Sequence, residues 1–396
     1  MMAKPRSHSA SIESGSPGYQ GGQVVPFPLP DSVLAFMAQQ RGSAPGRYRY
    51  AGGCLLPTVY SSCYAAMGRH LLNDLPALAA ADREDWIAYL QSHQDEDGLF
   101  RDPVIFGQGW YDGDPLWCGR SHLACHVVAA LTCLGGVAAK PLRWLKPWLD
   151  PDGLRRWLEA RDWGERVAWT GNEIMNVGVL LQYARDFQND SRAGHAVAVL
   201  IEWLATHHVH PETGVWGAVD VTDPVWRSHA VQAAYHWWPL FFYDGVEPPH
   251  LGRAIDTVLV TQNARGGFGW GVHHAAEPFL SSACEDIDSI DPLCRMMALT
   301  EYRRTDIQSA LARAADWVLT NQMPDGGFVF VRNLPFEYGH PQLRSDVGHG
   351  AMFPTWFRLL SLALIGGVLP GHPLGVYPWQ FVSCPGMQFS PLEMKP

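Results

Sequence analysis

With 396 residues and 47% apolar composition the chain can fill a large core, and a closed ring of repeats is one architecture that reaches this length as a single domain. The net charge of −10, with lysines and arginines scattered, excludes a nucleic-acid binder, which needs a basic stripe to displace phosphate counterions. Eight cysteines lie mostly in apolar stretches without a Cys-x-x-Cys pair, and the N-terminus is Ser-, Gly- and Pro-rich, so a reduced, cytoplasmic protein without a secretory leader is expected.

Residues 1–30 are small and polar and read as disordered. An outer helix is expected near 31 and a buried inner helix from about 58. Over 83–93, Trp86, Ile87 and Leu90 fall on one stripe, the mark of a helix with one wet face. A turn at 94–100 follows, and then 121–134, apolar nearly all round and therefore buried on both sides. The alternation continues with outer helices near 142–158, 192, 250 and 305 and inner helices from about 172, 229, 286 and 347. Turns recur at 94–100, 150–154, 210–216, 262–268 and 322–328, with Gly98, Gly153, Gly214, Gly266 and Gly326 spaced by 52 to 61 residues. Two helices of about 15–20 residues plus two loops fill such a gap. The pattern predicts an all-α toroid of six helical hairpins over 31–369, with little β structure. The stretch 352–369 is interrupted by Pro354 and Arg358 and reads as a buried helix, so no transmembrane segment is expected, while contact with a membrane surface and the oligomeric state stay open. A Pro-rich, aperiodic tail over 370–396 is expected to pack on the toroid.

The turns, with their Gln-x-x-x-Gly and Gly-Gly-Phe patterns at 94–100, 262–268 and 322–328, resemble the repeats of the terpenoid cyclase and protein prenyltransferase superfamily, squalene-hopene cyclases among them. The resemblance covers roughly 50–365 and implies an α/α toroid with its chemistry at one mouth of a central cavity. Related toroids also act on glycans.

The strongest chemical signal is Cys284-Glu285-Asp286-Ile287-Asp288-Ser289-Ile290-Asp291, four carboxylates at the start of a buried helix. Their repulsion and desolvation must be relieved by a cation, a metal or a shared proton. In class II terpene cyclases the matching place holds Asp-x-Asp-Asp, whose middle Asp protonates an alkene. By that resemblance Asp288 is the general acid, Asp286 assists it, and His349 on the next inner helix tunes it; Ser289 stands where the last Asp would be. In protein prenyltransferase β subunits the same places give Asp-x-Cys and a His to zinc, but here the Cys position is Asp288. A divalent metal, Mg or Zn, therefore stays open beside a cofactor-free site.

His122 and His126, Glu173 and Asn176, and His229, Gln232 and His236 recur at helical spacing near the starts of inner helices and are expected to converge on the mouth. Trp169, Trp226, Trp237, Trp238 and Trp356 lie on inner helices too, and indole faces stabilise cations. The leading expectation is a small-molecule enzyme acting on an isoprenoid. The alternatives are a glycan hydrolase or lyase, using Glu173 with Asp288 or the set Asn176, His229 and Tyr235, and a non-catalytic toroid that binds a partner through its mouth.

Overall fold

The computed structural model describes residues 29–274, 276 and 279–392. The disorder expected over 1–30 falls outside the described residues except at Leu29 and Pro30, which open the first helix.

The protein is an all-α toroid. Its outer helices are α1 (Leu29–Gln40), α3 (Ala80–Ser92), α5 (Pro151–Glu159), α7 (Ser191–Thr206), α9 (Leu251–Leu259) and α11 (Arg304–Leu319). They alternate with the inner helices α2 (Val59–Leu71), α4 (Arg120–Leu134), α6 (Val167–Phe187), α8 (Pro224–Tyr243), α10 (Ala283–Leu299) and α12 (Met352–Val368). Each inner helix packs on the next, and α12 packs back on α2, so the inner ring closes. Because an outer helix always separates two inner ones, all six inner helices run the same way and their N-termini share one mouth. The sequence reason is composition: α3 buries only Trp86 and Leu90, whereas nearly every residue of α4 is buried. A short hairpin, β1 (Phe336–Glu337) with β2 (Arg344–Ser345), is the only sheet among the described residues.

The repeated turn is the joint between neighbouring hairpins. At 94–100, 262–268 and 322–328 the motif's first and last residues form a β-bridge, and the closing Phe100, Phe268 and Phe328 are fully buried. The Gln side chain then ties its own turn to a neighbouring segment. Gln94 Nε2 donates to Gly98 O and Lys140 O, and Gln262 Nε2 donates to Gly266 O and Ala310 O of α11. Gln322 Nε2 donates to Gly326 O and, at 2.8 Å, to Ser32 Oγ of α1, which joins the last repeat to the first. Glycine is required here for two reasons. Gly326 has φ +89°, and a Cβ on it would stand 2.1 Å from Ser32 O.

Two turn assignments need correction. The segment 150–154 does not end a helix: Asp150 caps the start of α5 with Pro151 at its first position, so Gly153 lies inside the helix. The outer helix expected over 142–158 is accordingly split into a 3-10 stretch, Arg143–Trp148, and α5. A further joint, outside the repeated pattern, lies at 41–48, where Arg41 bridges Tyr48 and Gly46 has φ +74°.

Candidate active site

The four clustered carboxylates have four different environments. Ser282 caps α10, and Glu285 completes the capping box by accepting from Ser282 N at 2.9 Å while also accepting from Val272 N at 3.0 Å. Burial pushes the Glu285 carboxyl up, but His273 and the Ser282 donors outweigh it and hold the group below its ordinary value. Asp286 is fully buried and receives Arg358 Nη1 at 2.7 Å, Trp317 Nε1 at 2.9 Å and Phe268 N at 3.0 Å. Burial raises its pKa, yet three donors favour the carboxylate. Asp291 accepts from buried Arg295 one helical turn on. Glu285, Asp286 and Asp291, expected among the catalytic groups, are thus engaged in structural contacts.

Asp288 is the exception. It lines a cavity of about 340 Å³ on the ring axis, within the range of roughly 300–1,000 Å³ usual for small-molecule sites. Its Oδ2 is buried with no hydrogen-bond partner. Burial first, and then the fields of Glu285, Asp286 and Asp291, push its pKa well above the usual carboxylate range. Desolvation and the surrounding negative charge both favour the protonated carboxyl, the form that can donate a proton.

The wall facing Asp288 is aromatic. Phe330, Phe336, Tyr338, Phe353 and Phe357 contribute from the β-hairpin region and α12, and Tyr235 from α8. Trp110, Trp117 and Trp169 form the rim, with centroids 5.4 and 4.9 Å apart between successive rings, and Trp169 is 40% exposed. His122, His126, Gln232 and His236 also line the cavity. His126 Nδ1 lies 2.9 Å from His122 O and His236 Nδ1 lies 2.6 Å from Gln232 O. A carbonyl only accepts, so both Nδ1 atoms carry the hydrogen and, in the neutral rings, both Nε2 atoms hold a lone pair. Among the described residues nothing is hydrogen-bonded to either Nε2. Burial lowers both imidazoles to a pKa of about 4 and takes His122, whose Nδ1 meets Tyr60 OH at 2.7 Å, well below the ordinary value.

These two histidines give a stability test. In the unfolded chain each binds its proton near pH 6.5, in the folded chain only near pH 4. Their neutral forms therefore contribute stability that is complete above about 6.5 and lost as pH falls towards 4, each by up to about 3 kcal/mol. The His126→Gln/His236→Gln double variant is expected to lose less stability than the unaltered protein between those pH values. Parallel denaturation profiles for the two proteins would contradict it.

Several expected site residues lie elsewhere. His349 is exposed, with Nδ1 near Val347 O at 3.1 Å, because α12 begins only at Met352 and the preceding loop is pinned by Gly350 N donating to Asp325. Glu173 pairs with Arg161 at 3.0 Å, and Asn176 Nδ2 donates to Leu116 O at 2.7 Å; neither lines the cavity. His229 meets Trp226 at a tilt with centroids 5.3 Å apart, and Trp237 and Trp238 are fully buried. Trp356 is buried below the main cavity, stacked on Tyr64 at 5.3 Å. Tyr235 does line the cavity, and its hydroxyl is buried without a partner. Among the described residues no three His, Cys, Asp or Glu side chains converge as metal ligands. With Glu285, Asp286 and Asp291 already engaged, the acidic cluster does not fit a divalent cation.

Similarity to known proteins is consistent with this geometry. No family model matches the sequence. Protostadienol synthase A of Aspergillus fumigatus is 26% identical over 191 residues, which cover 41% of this chain and 23% of that protein; the synthase of Neosartorya fischeri matches equally. The toroid is terpenoid cyclase-like. The chain thus spans less than a quarter of the length of these relatives. Among solved structures, a polysaccharide lyase aligns with a TM-score of 0.50 at 10% identity, covering 85% of this chain and 96% of the lyase, which shows a common fold. A type II terpene cyclase from Scytonema, solved with geranylgeranyl dihydroxybenzoate, aligns at 14% identity with a TM-score of 0.46, covering 85% and 96%. Among the described residues no helix is long and apolar enough to cross a membrane, and all eight cysteines are unpaired.

Proposed function

We propose that this protein is an enzyme that cyclises an isoprenoid by protonating it, with Asp288 as the general acid. The observation that carries the reading is a buried carboxyl, its Oδ2 without a hydrogen-bond partner, in a cavity walled largely by aromatic rings. The proton moves from the Asp288 carboxyl to one alkene carbon; the π pair forms the new C–H bond and leaves a carbocation on the other carbon. Neighbouring alkenes of the same chain attack that cation and close rings. The aromatic faces stabilise each cation, by roughly 0.5–2 kcal/mol per well-placed ring. The last cation loses an adjacent proton to Nε2 of His236 or His126, and that C–H pair becomes the new double bond. Proton exchange with water then restores neutral imidazole and the Asp288 acid, so the net reaction is an isomerisation.

Of the residues expected for the glycan reading, Glu173 is held by Arg161 and Asn176 donates to Leu116 O, which leaves Asp288 and Tyr235 on the cavity. The sequence similarity to protostadienol synthase further favours an isoprenoid. The test is incubation with farnesyl, geranylgeranyl and prenylated aromatic substrates in D₂O. The expected product is a cyclic isomer carrying one deuteron at the carbon that was protonated. A product without solvent deuterium, or no consumption of any prenyl substrate, would defeat the proposal.

A further inference from the structure

Part of the C-terminal segment enters the ring. After α12 it makes a 3-10 turn, Pro373–Val376, and runs along the end of α2. There Tyr377 OH donates to Leu72 O at 2.7 Å and Gln380 N donates to Leu71 O at 3.1 Å. It then turns inward at Gly386, with φ +121°, at the end of the toroid opposite the mouth. Gln388 is 2% exposed; its Nε2 donates to Met67 O of α2 at 3.0 Å and its Oε1 accepts from Trp356 Nε1 of α12 at 2.7 Å. Arg295 of α10, 1% exposed, donates to the carbonyls of Met387, Phe389 and Ser390 and lies 3.7 Å from the Phe389 ring centroid. Asp291 neutralises it, and Phe389 meets Tyr243 of α8 edge to face. A buried arginine committed to three backbone carbonyls of one short segment is a costly arrangement unless that segment has a fixed position.

What the position achieves is visible at Met387. Its side chain lines the main cavity, and it also lines a satellite void of about 20 Å³ walled by Met67, Cys125, Met175, Val179 and Trp356. Met387 and His126 are the residues common to both. The void is apolar, so its natural occupant is hydrocarbon rather than water. We infer that 384–390 form a stopper, and that Met387 sets the depth of the cavity and thereby the longest isoprenoid chain that fits with an alkene at Asp288. This rests on the isoprenoid reading above. Methionine suits the task, since it is flexible and apolar and its removal joins the two spaces without leaving a polar group unpaired.

The test uses the full chain and its Met387→Ala and Met387→Trp variants, each first checked for an unchanged cooperative melt. Binding of farnesol, geranylgeraniol and geranylfarnesol is measured by quenching of tryptophan fluorescence. In Met387→Ala the longest chain is expected to gain roughly tenfold in affinity relative to the shortest, and in Met387→Trp to lose about as much, the scale of one or two methylenes in an apolar pocket. An unchanged order of affinities in both folded variants overturns the stopper while leaving the isoprenoid reading intact. If the unaltered protein binds none of the three, the isoprenoid reading fails and the stopper with it. If only Met387→Ala folds, its shift towards the longest chain, or the lack of one, decides the matter alone.

Discussion

Asp288→Asn is expected to lose product formation by on the order of 10³-fold or more while remaining folded, because it removes the only transferable proton proposed for the first step. The substitution exchanges the carboxyl for an uncharged group of the same shape, so packing is preserved. Its effect on stability has a definite sign. The folded-state pKa of Asp288 is raised, so the stability its protonated form contributes is complete below the unfolded value and lost as pH rises through the folded value. Asparagine has no such loss, and the variant should become progressively more stable than the parent as pH increases. Turnover assays with thermal melts at several pH values check both halves. Full turnover by the variant would remove Asp288 from the mechanism. Loss of turnover with an unfolded protein would show that Asp288 is structural.

The second large effect is expected at Arg358. Its guanidinium is fully buried and donates to Asp286, Val329 O and Phe330 O. Arg358→Met leaves the Asp286 carboxylate buried without its cation and three carbonyls, those of Ser281, Val329 and Phe330, short of a donor, and should cost about 3–5 kcal/mol of unfolding free energy. Adding Asp286→Asn to that variant removes the stranded charge and should recover a substantial share of the loss. Chemical denaturation of the two single variants and the double variant measures the coupling. A double variant as unstable as the sum of the singles would mean that the two side chains do not act as a pair.

The toroid was legible because its joints repeat. In each complete joint Gln ties its own turn to a neighbouring segment and Gly admits the close approach of that neighbour, so both residue types recur with the hairpin period. The joint at 41–48 lacks the Gln and escaped notice, whereas Asp150-Pro151-Asp152-Gly153 contains the glycine but begins with a helix-start signal. Within the site, the acidic cluster was visible as a charge problem, but how each acid solves that problem depends on residues far along the chain. Asp286 meets Arg358, 72 positions away, and nothing local announces that pairing. The lone arginine in the apolar stretch of α12 was the available clue, since a buried cation needs an anion. Phe336 and Tyr338 reach the cavity from a loop with no helical period, so no pattern pointed to them. His349 was placed by its match to a motif, and five residues of difference in the start of α12 are enough to leave it in solvent.

The bond from Gln322 to Ser32 spans 290 positions. During synthesis the first helix must wait, with its joint face unsatisfied, until the 322–328 joint has emerged 290 positions later. Closing the circle is thus among the most non-local events in folding and is expected to be slow. The same seam sets the geometry for a circular permutant: cutting at another joint and linking the old ends would move the late step elsewhere in sequence without altering the finished ring.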